Sequence, residues 1–170
     1  NSWEYGAPSG LVITSAALGT KAWVTNLNGV YNNSEESTLL TPYFDNSAAT
    51  FDLVYEFDMA LATENNFDET WVEYSFNDSV WTKLTAGASS KNWYNDTQNQ
   101  WWSGDNDPSW TNRRAVVPNS AGQMVHFRHR FTSDAFIQQE GVGIDELNVY
   151  EIPCEFPVTD LSYSNVTTTS

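Results

Sequence analysis

Strict alternation of large apolar and polar side chains is the feature that most limits what this chain can become. Across residues 123–132 (QMVHFRHRFT), Val125, Phe127, His129 and Phe131 form one row, and Met124, His126, Arg128 and Arg130 form the other. A period of two puts the rows on opposite faces of a β-strand, one apolar and one polar. Residues 50–59 repeat the pattern, with Phe51, Leu53, Tyr55, Phe57 and Met59 set against Asp52, Glu56 and Asp58. Residues 70–76 and 80–84 are rich in β-formers, and the turn chemistry of Asn77-Asp78-Ser79 between them predicts a hairpin. A last strand is expected over 143–151, with shorter ones over 11–15, 22–25, 37–44 and 114–117. No window carries a helical stripe. The fold class expected is therefore all-β, an antiparallel β-sandwich of the jelly-roll kind. Residues 85–112 are too long for a plain connection. They read either as further short strands or as the functional surface.

Composition decides which partners suit such a sandwich. Eight Trp and an aromatic content of 15 % provide a core without covalent staples. The formal charge of -15 excludes nucleic acid, whose phosphates require cationic neutralisation, and disfavours anionic membrane surfaces. It suits divalent cations and basic partners. The single cysteine, Cys154, permits neither an internal disulfide nor a thiolate metal site. No apolar run is long enough to span a bilayer. The opening Asn1-Ser2-Trp3, without Met, reads as a mature or excised piece. After Ile152 the character changes. Pro153-Cys154-Glu155-Phe156-Pro157 reads as a linker, and residues 158–170 (VTDLSYSNVTTTS) resemble the opening strand of a fibronectin type III domain. The expected organisation is a sandwich over 1–152 and a linker with the start of a further domain over 153–170. The alternative is that the tail returns as an edge strand.

Several short blocks, taken in order, carry a family resemblance. They are Ser2-Trp3-Glu4-Tyr5-Gly6 followed by Pro8, Ala22-Trp23-Val24-Thr25-Asn26-Leu27, and the stretch from Tyr31 to Ser37 leading into Leu39-Leu40-Thr41-Pro42. Trp71-Val72-Glu73-Tyr74-Ser75 follows, then Phe127-Arg128-His129-Arg130-Phe131 with Gly141-Val142-Gly143-Ile144-Asp145. Together they resemble the jelly-roll modules of large secreted Bacteroidetes proteins, which are similar to MAM domains and to the cleaved-adhesin domains of gingipains. The resemblance implies a calcium-stabilised sandwich, export (often by the type IX route) and a place at the cell surface in adhesins or in proteases with appended modules. In that family a strand usually precedes the Ser-Trp-Glu block; either the numbering here begins after it or another chain supplies it.

In calcium-binding jelly rolls a carboxylate at the start of the last strand ties it to an early loop, which makes Asp145 a candidate Ca²⁺ ligand. Glu35 and Glu36, beside Asn32 and Asn33, are its candidate partners, and Asp68 before the 70–76 strand is another. The competing role for Asp145 is an ion pair with Arg128 or Arg130. A second candidate site is the aromatic loop 91–110 (KNWYNDTQNQWWSGDNDPSW). Trp93, Tyr94, Trp101, Trp102 and Trp110 there combine flat rings for stacking on sugars with Asn, Gln and Asp for hydroxyl groups. The competing role is to clamp the loop onto the sandwich. Ser75 to Trp81 looks like a degenerate Asp-box turn that serves folding.

Glu56, Asp58 and Glu73 would form an ionic grid with His126, Arg128 and Arg130 if their strands share a sheet. Paired carboxylates would instead suit a glycosidase. There is no Gly-x-Ser-x-Gly elbow and no His-Glu-x-x-His pair, so no catalytic residue is assigned. The expected function is a non-catalytic, calcium-stabilised adhesion or spacer module of a secreted multidomain surface protein, in contact with a protein or glycan ligand and with neighbouring domains. The alternative is a carbohydrate-binding module of a polysaccharide-degrading enzyme. A jelly-roll hydrolase or lyase ranks third.

Overall fold

The computed structural model describes residues 2–104 and 107–151. The expected linker and following segment at 153–170, with Cys154, lie outside these residues. Ten strands follow one another: β1 (Glu4–Gly6), β2 (Ala22–Val24), β3 (Glu36–Asp45), β4 (Leu53–Ala62), β5 (Glu69–Ser75), β6 (Thr82–Lys83), β7 (Trp102–Ser103), β8 (Asp107–Val116), β9 (Met124–Thr132) and β10 (Gly141–Glu151). No helix occurs among the described residues. The front sheet has the order β1-β2-β10-β4-β8, and the back sheet β3-β9-β5-β6 with β7 also on β5. All pairings are antiparallel. From β2 to β5 and again from β8 to β10, each strand lies in the sheet opposite its predecessor. That is the winding of a jelly roll.

The alternating rows meet as the pattern requires. Tyr55, Phe57 and Met59 of β4 and Val125, Phe127 and Phe131 of β9 are all fully buried. Tyr55 stacks on Phe127 at 4.0 Å, and Phe57 meets His129 edge-on at 4.8 Å. Phe51 departs from the expectation. It precedes β4 and is 42 % exposed, because a knot of side chains delays the strand. Asn46 Nδ2 donates to the Phe51 and Ser120 carbonyls, and the Leu53 N–H donates to Ser120 Oγ. Only from Leu53 does the regular ladder begin.

Residues 11–15, expected as a strand, instead belong to the long β1–β2 connection. This connection lies on the outer face of the front sheet and covers a second apolar cluster of Ile13, Ala22, Val24 and Ala60. Backbone groups fasten it to acids of the last strand and its approach. The Glu140 carboxylate accepts the N–H groups of Leu11, Val12 and Ile13, and Asp145 Oδ2 accepts those of Ala17 and Leu18. Trp110 Nε1 donates to the Ser15 carbonyl at 2.9 Å.

Two glycines allow β10 to lie this close. Gly141 has φ +91°, and a Cβ there would meet Thr25 Oγ1 at 2.0 Å. At Gly143 a Cβ would meet the Trp110 ring at 2.6 Å. Gly141→Ala therefore combines a forbidden backbone with a collision. It is expected to destabilise the fold by about 2–4 kcal/mol, measured as a lowered urea midpoint at unchanged m-value. A loss below 0.5 kcal/mol, taken as the roughly neutral range for surface changes, would contradict this account.

Candidate functional site: a carboxylate cluster between loops

The winding brings the β2–β3, β4–β5 and β9–β10 connections to one end of the sandwich, with β7 beside them. Tyr31 stands at their junction. Its ring packs edge-on against Phe131 at 4.9 Å, and its hydroxyl donates to the Asp68 carboxylate while accepting the Glu64 N–H at 3.2 Å. Asp68 is fully buried and accepts the Asp134 N–H at 2.7 Å. Glu64, Asp68 and Asp134 each place a carboxylate oxygen within 4.8 Å of the others.

This is a costly arrangement without a counter-charge. Burial, and then the charges of Asp134 and Asp68, push the Glu64 carboxyl above its ordinary range. Burial and the hydrogen bond to Asp68 push the Tyr31 phenol up as well. Glu64 Oε2 is buried without a hydrogen-bond partner. Three carboxylates this close, one of them with an orphaned buried oxygen, make an all-oxygen donor set of the kind hard cations take. Glu64, Asp68 and Asp134 could together hold a hard cation such as Ca²⁺.

The four acids expected from the sequence separate. Asp68 is in the cluster. Glu35 lies at the same end of the molecule, but its oxygens accept bonds from Ser2 N, Asn32 N and Asn32 Nδ2. Against the opposing effect of burial, these bonds hold its carboxyl below the usual range. Glu36 is on β3 and pairs with Arg130 of β9. Asp145 does tie the last strand to an early loop, but through hydrogen bonds to Ala17 and Leu18 rather than through the expected carboxylate partners. It pairs with neither Arg128 nor Arg130, which lie in the other sheet. Glu64 and Asp134 were missed. The available signal was positional: both lie just beyond the ends of strands, where loops of the two sheets converge.

In the aromatic loop, three of the five candidate sugar-stacking rings take the competing, clamping role. Trp93, Tyr94 and Trp102 are 5 %, 5 % and 1 % exposed, so their faces are not open to a sugar. Trp102 packs against Tyr94 at 4.4 Å and Trp93 at 5.0 Å, and both tryptophans meet Phe57 edge-on. These rings continue the core and clamp the loop. Trp110 packs on Gly143, and Trp101 is half-buried with Lys83 over its ring at 5.3 Å.

The expected ionic grid exists in part. Glu73 pairs with Arg128 across β5 and β9, whereas Glu56 and Asp58 belong to the front sheet and accept Asn112 Nδ2. In the hairpin, Ser75 Oγ accepts the Asp78 N–H and Asn77 Oδ1 accepts those of Ser79 and Val80, the folding role expected of that turn.

No family model matches the chain. The chain is similar to bacillopeptidase F of Bacillus subtilis (strain 168), at 29 % identity over 147 residues. That match spans 86 % of this chain but only 9 % of the relative.

Proposed function

We propose that this chain is a non-catalytic accessory module of a larger extracellular protein, a β-sandwich whose loop end is clamped by calcium. The observation that carries the reading is the convergence of Glu64, Asp68 and Asp134 from two connections, with one buried oxygen unpartnered. A bound ion would neutralise the mutual repulsion and lock the β4–β5 and β9–β10 connections together. The match to a small fraction of a much longer protein named as a peptidase supports an appended module. The resemblance to MAM-like and cleaved-adhesin jelly rolls supports the same role at a cell surface. The module's work is contact with a protein or glycan, or spacing between neighbouring domains.

Calcium at about 100 times its dissociation constant stabilises a protein by about 2.7 kcal/mol. For a domain of this size that is a rise in Tm of roughly 5–10 °C. The expected result is such a rise between EDTA and millimolar CaCl₂, lost in Glu64→Gln. Glu64 is the informative position because Asp68 also carries structural hydrogen bonds. Identical melts in EDTA and calcium would remove the clamp from the proposal.

A further inference from the structure

The two sheets part at one edge. β3, the outermost strand of the back sheet, breaks register between Leu40 and Tyr43, and β10 breaks register between Asp145 and Asn148. Both irregularities line one cleft of about 220 Å³. Leu39, Leu40 and Pro42 form one wall, Ile144 and Leu147 the other, and Trp23 of β2 closes one side. The buried His129, Asp145 and the exposed Glu146 complete the lining, with the Asp145 carboxylate itself held by the Ala17 and Leu18 N–H groups. Leu40 is 55 % exposed and Trp23 40 %, an unusual outlay of apolar surface beside two acids. Bulges bend strands and re-aim side chains, and they recur at sheet edges and next to active sites.

We infer that this cleft is a docking site for a partner protein that inserts one leucine-sized side chain flanked by lysine or arginine. The proposal rests on the reading of the chain as a contact module and names its surface. The volume is below the roughly 300–1,000 Å³ of small-molecule sites and suits a single apolar side chain. The occupant's charge follows from the exposed Glu146 in the lining and the overall charge of -15. The same charge opposes a second copy of this chain as occupant. Addition of a partner strand along β3 is obstructed by the register break and by Pro42, which has no N–H to donate. The contact is therefore made by a side chain entering between the sheets.

The test is titration of the ¹⁵N-labelled chain with an acetylated, amidated Lys-Lys-Leu-Lys-Lys peptide, read at the Trp23 indole and at the Ile144 and Leu147 amides. Saturable shifts confined to these positions are expected, with roughly millimolar affinity. Lys-Lys-Ser-Lys-Lys and Glu-Glu-Leu-Glu-Glu should each bind at least about tenfold more weakly. Glu146→Gln should weaken binding several-fold. Leu40→Arg, at an exposed position, should abolish it while leaving the melting temperature within about 2 °C. Absence of shifts at these residues, or equal binding of the serine or the glutamate peptide, would overturn the proposal. The calcium-dependent melt is read independently, so failure of either idea leaves the other measurable.

Discussion

Replacing Glu140 with alanine is expected to lower the unfolding free energy by about 3–5 kcal/mol, among the largest losses available to a single polar side chain here. The carboxylate gathers the N–H groups of three consecutive residues, at 2.9 Å from Val12 and 2.7 Å from Ile13. Ile13 is buried, so its N–H would lose its only acceptor in a place water reaches poorly. Charge-assisted bonds are roughly twice as strong as neutral ones, and an orphaned buried donor costs about 1–3 kcal/mol. Release of the connection would also uncover Ala22, Val24 and Ala60. Glu140→Gln should lose much of the same energy, because an amide NH₂ would then face backbone donors. Urea unfolding of the two variants, with limited proteolysis within 7–21, is the measurement. Losses under 1 kcal/mol in both would mean that packing alone holds the connection.

Acid should unfold the sandwich before the carboxylates alone would, through His129. Its ring is buried between Tyr55 and Phe57, with Nε2 2.8 Å from the Tyr55 hydroxyl. Burial disfavours the charged ring and lowers its pKa to about 3 from the ordinary 6.5. The sign is fixed by which state binds the proton. Between pH 6.5 and about 3 the unfolded chain is protonated at this position and the native one is not. Stability is therefore complete above 6.5 and falls as pH drops, by up to about 1.4 kcal/mol per pH unit.

Glu35, held below its usual range, adds a loss in the same direction at lower pH. Glu64 and Glu69 oppose it, since burial raises both and protonation relieves them first in the native state. His129→Leu should be less stable at pH 7, where Tyr55 loses its partner, yet show a flatter profile between pH 6.5 and 4. A wild-type slope unchanged by the substitution would assign acid sensitivity to other groups.

The sandwich was legible because polar side chains still alternate with the large apolar ones in the middle of β4 and along β9. The rows Tyr55–Phe57–Met59 and Phe127–His129–Phe131 announce both period and core side, and the jelly-roll expectation follows from their number and spacing. What was hidden depends on contacts distant in sequence. Ile13 looks like a strand residue locally, but its N–H is claimed by Glu140 across more than a hundred positions. Trp102 lies among polar residues in a stretch that reads as a surface loop, yet it joins the core through Phe57. Glu64 and Asp134 carry no motif at all. They come together only where the β4–β5 and β9–β10 connections, each crossing between the sheets, meet at Tyr31.

The place of β10 has a consequence for how the molecule assembles. It lies between β2 and β4, so the front sheet has no continuous ladder until β10 arrives. Until then β4 lacks one of its two partners, and the cradle for residues 7–21 lacks both fastening acids. A ribosome that still holds residues 141–151 therefore presents an open-edged intermediate, exposed to misassociation and slow to close because its pairings span most of the described residues.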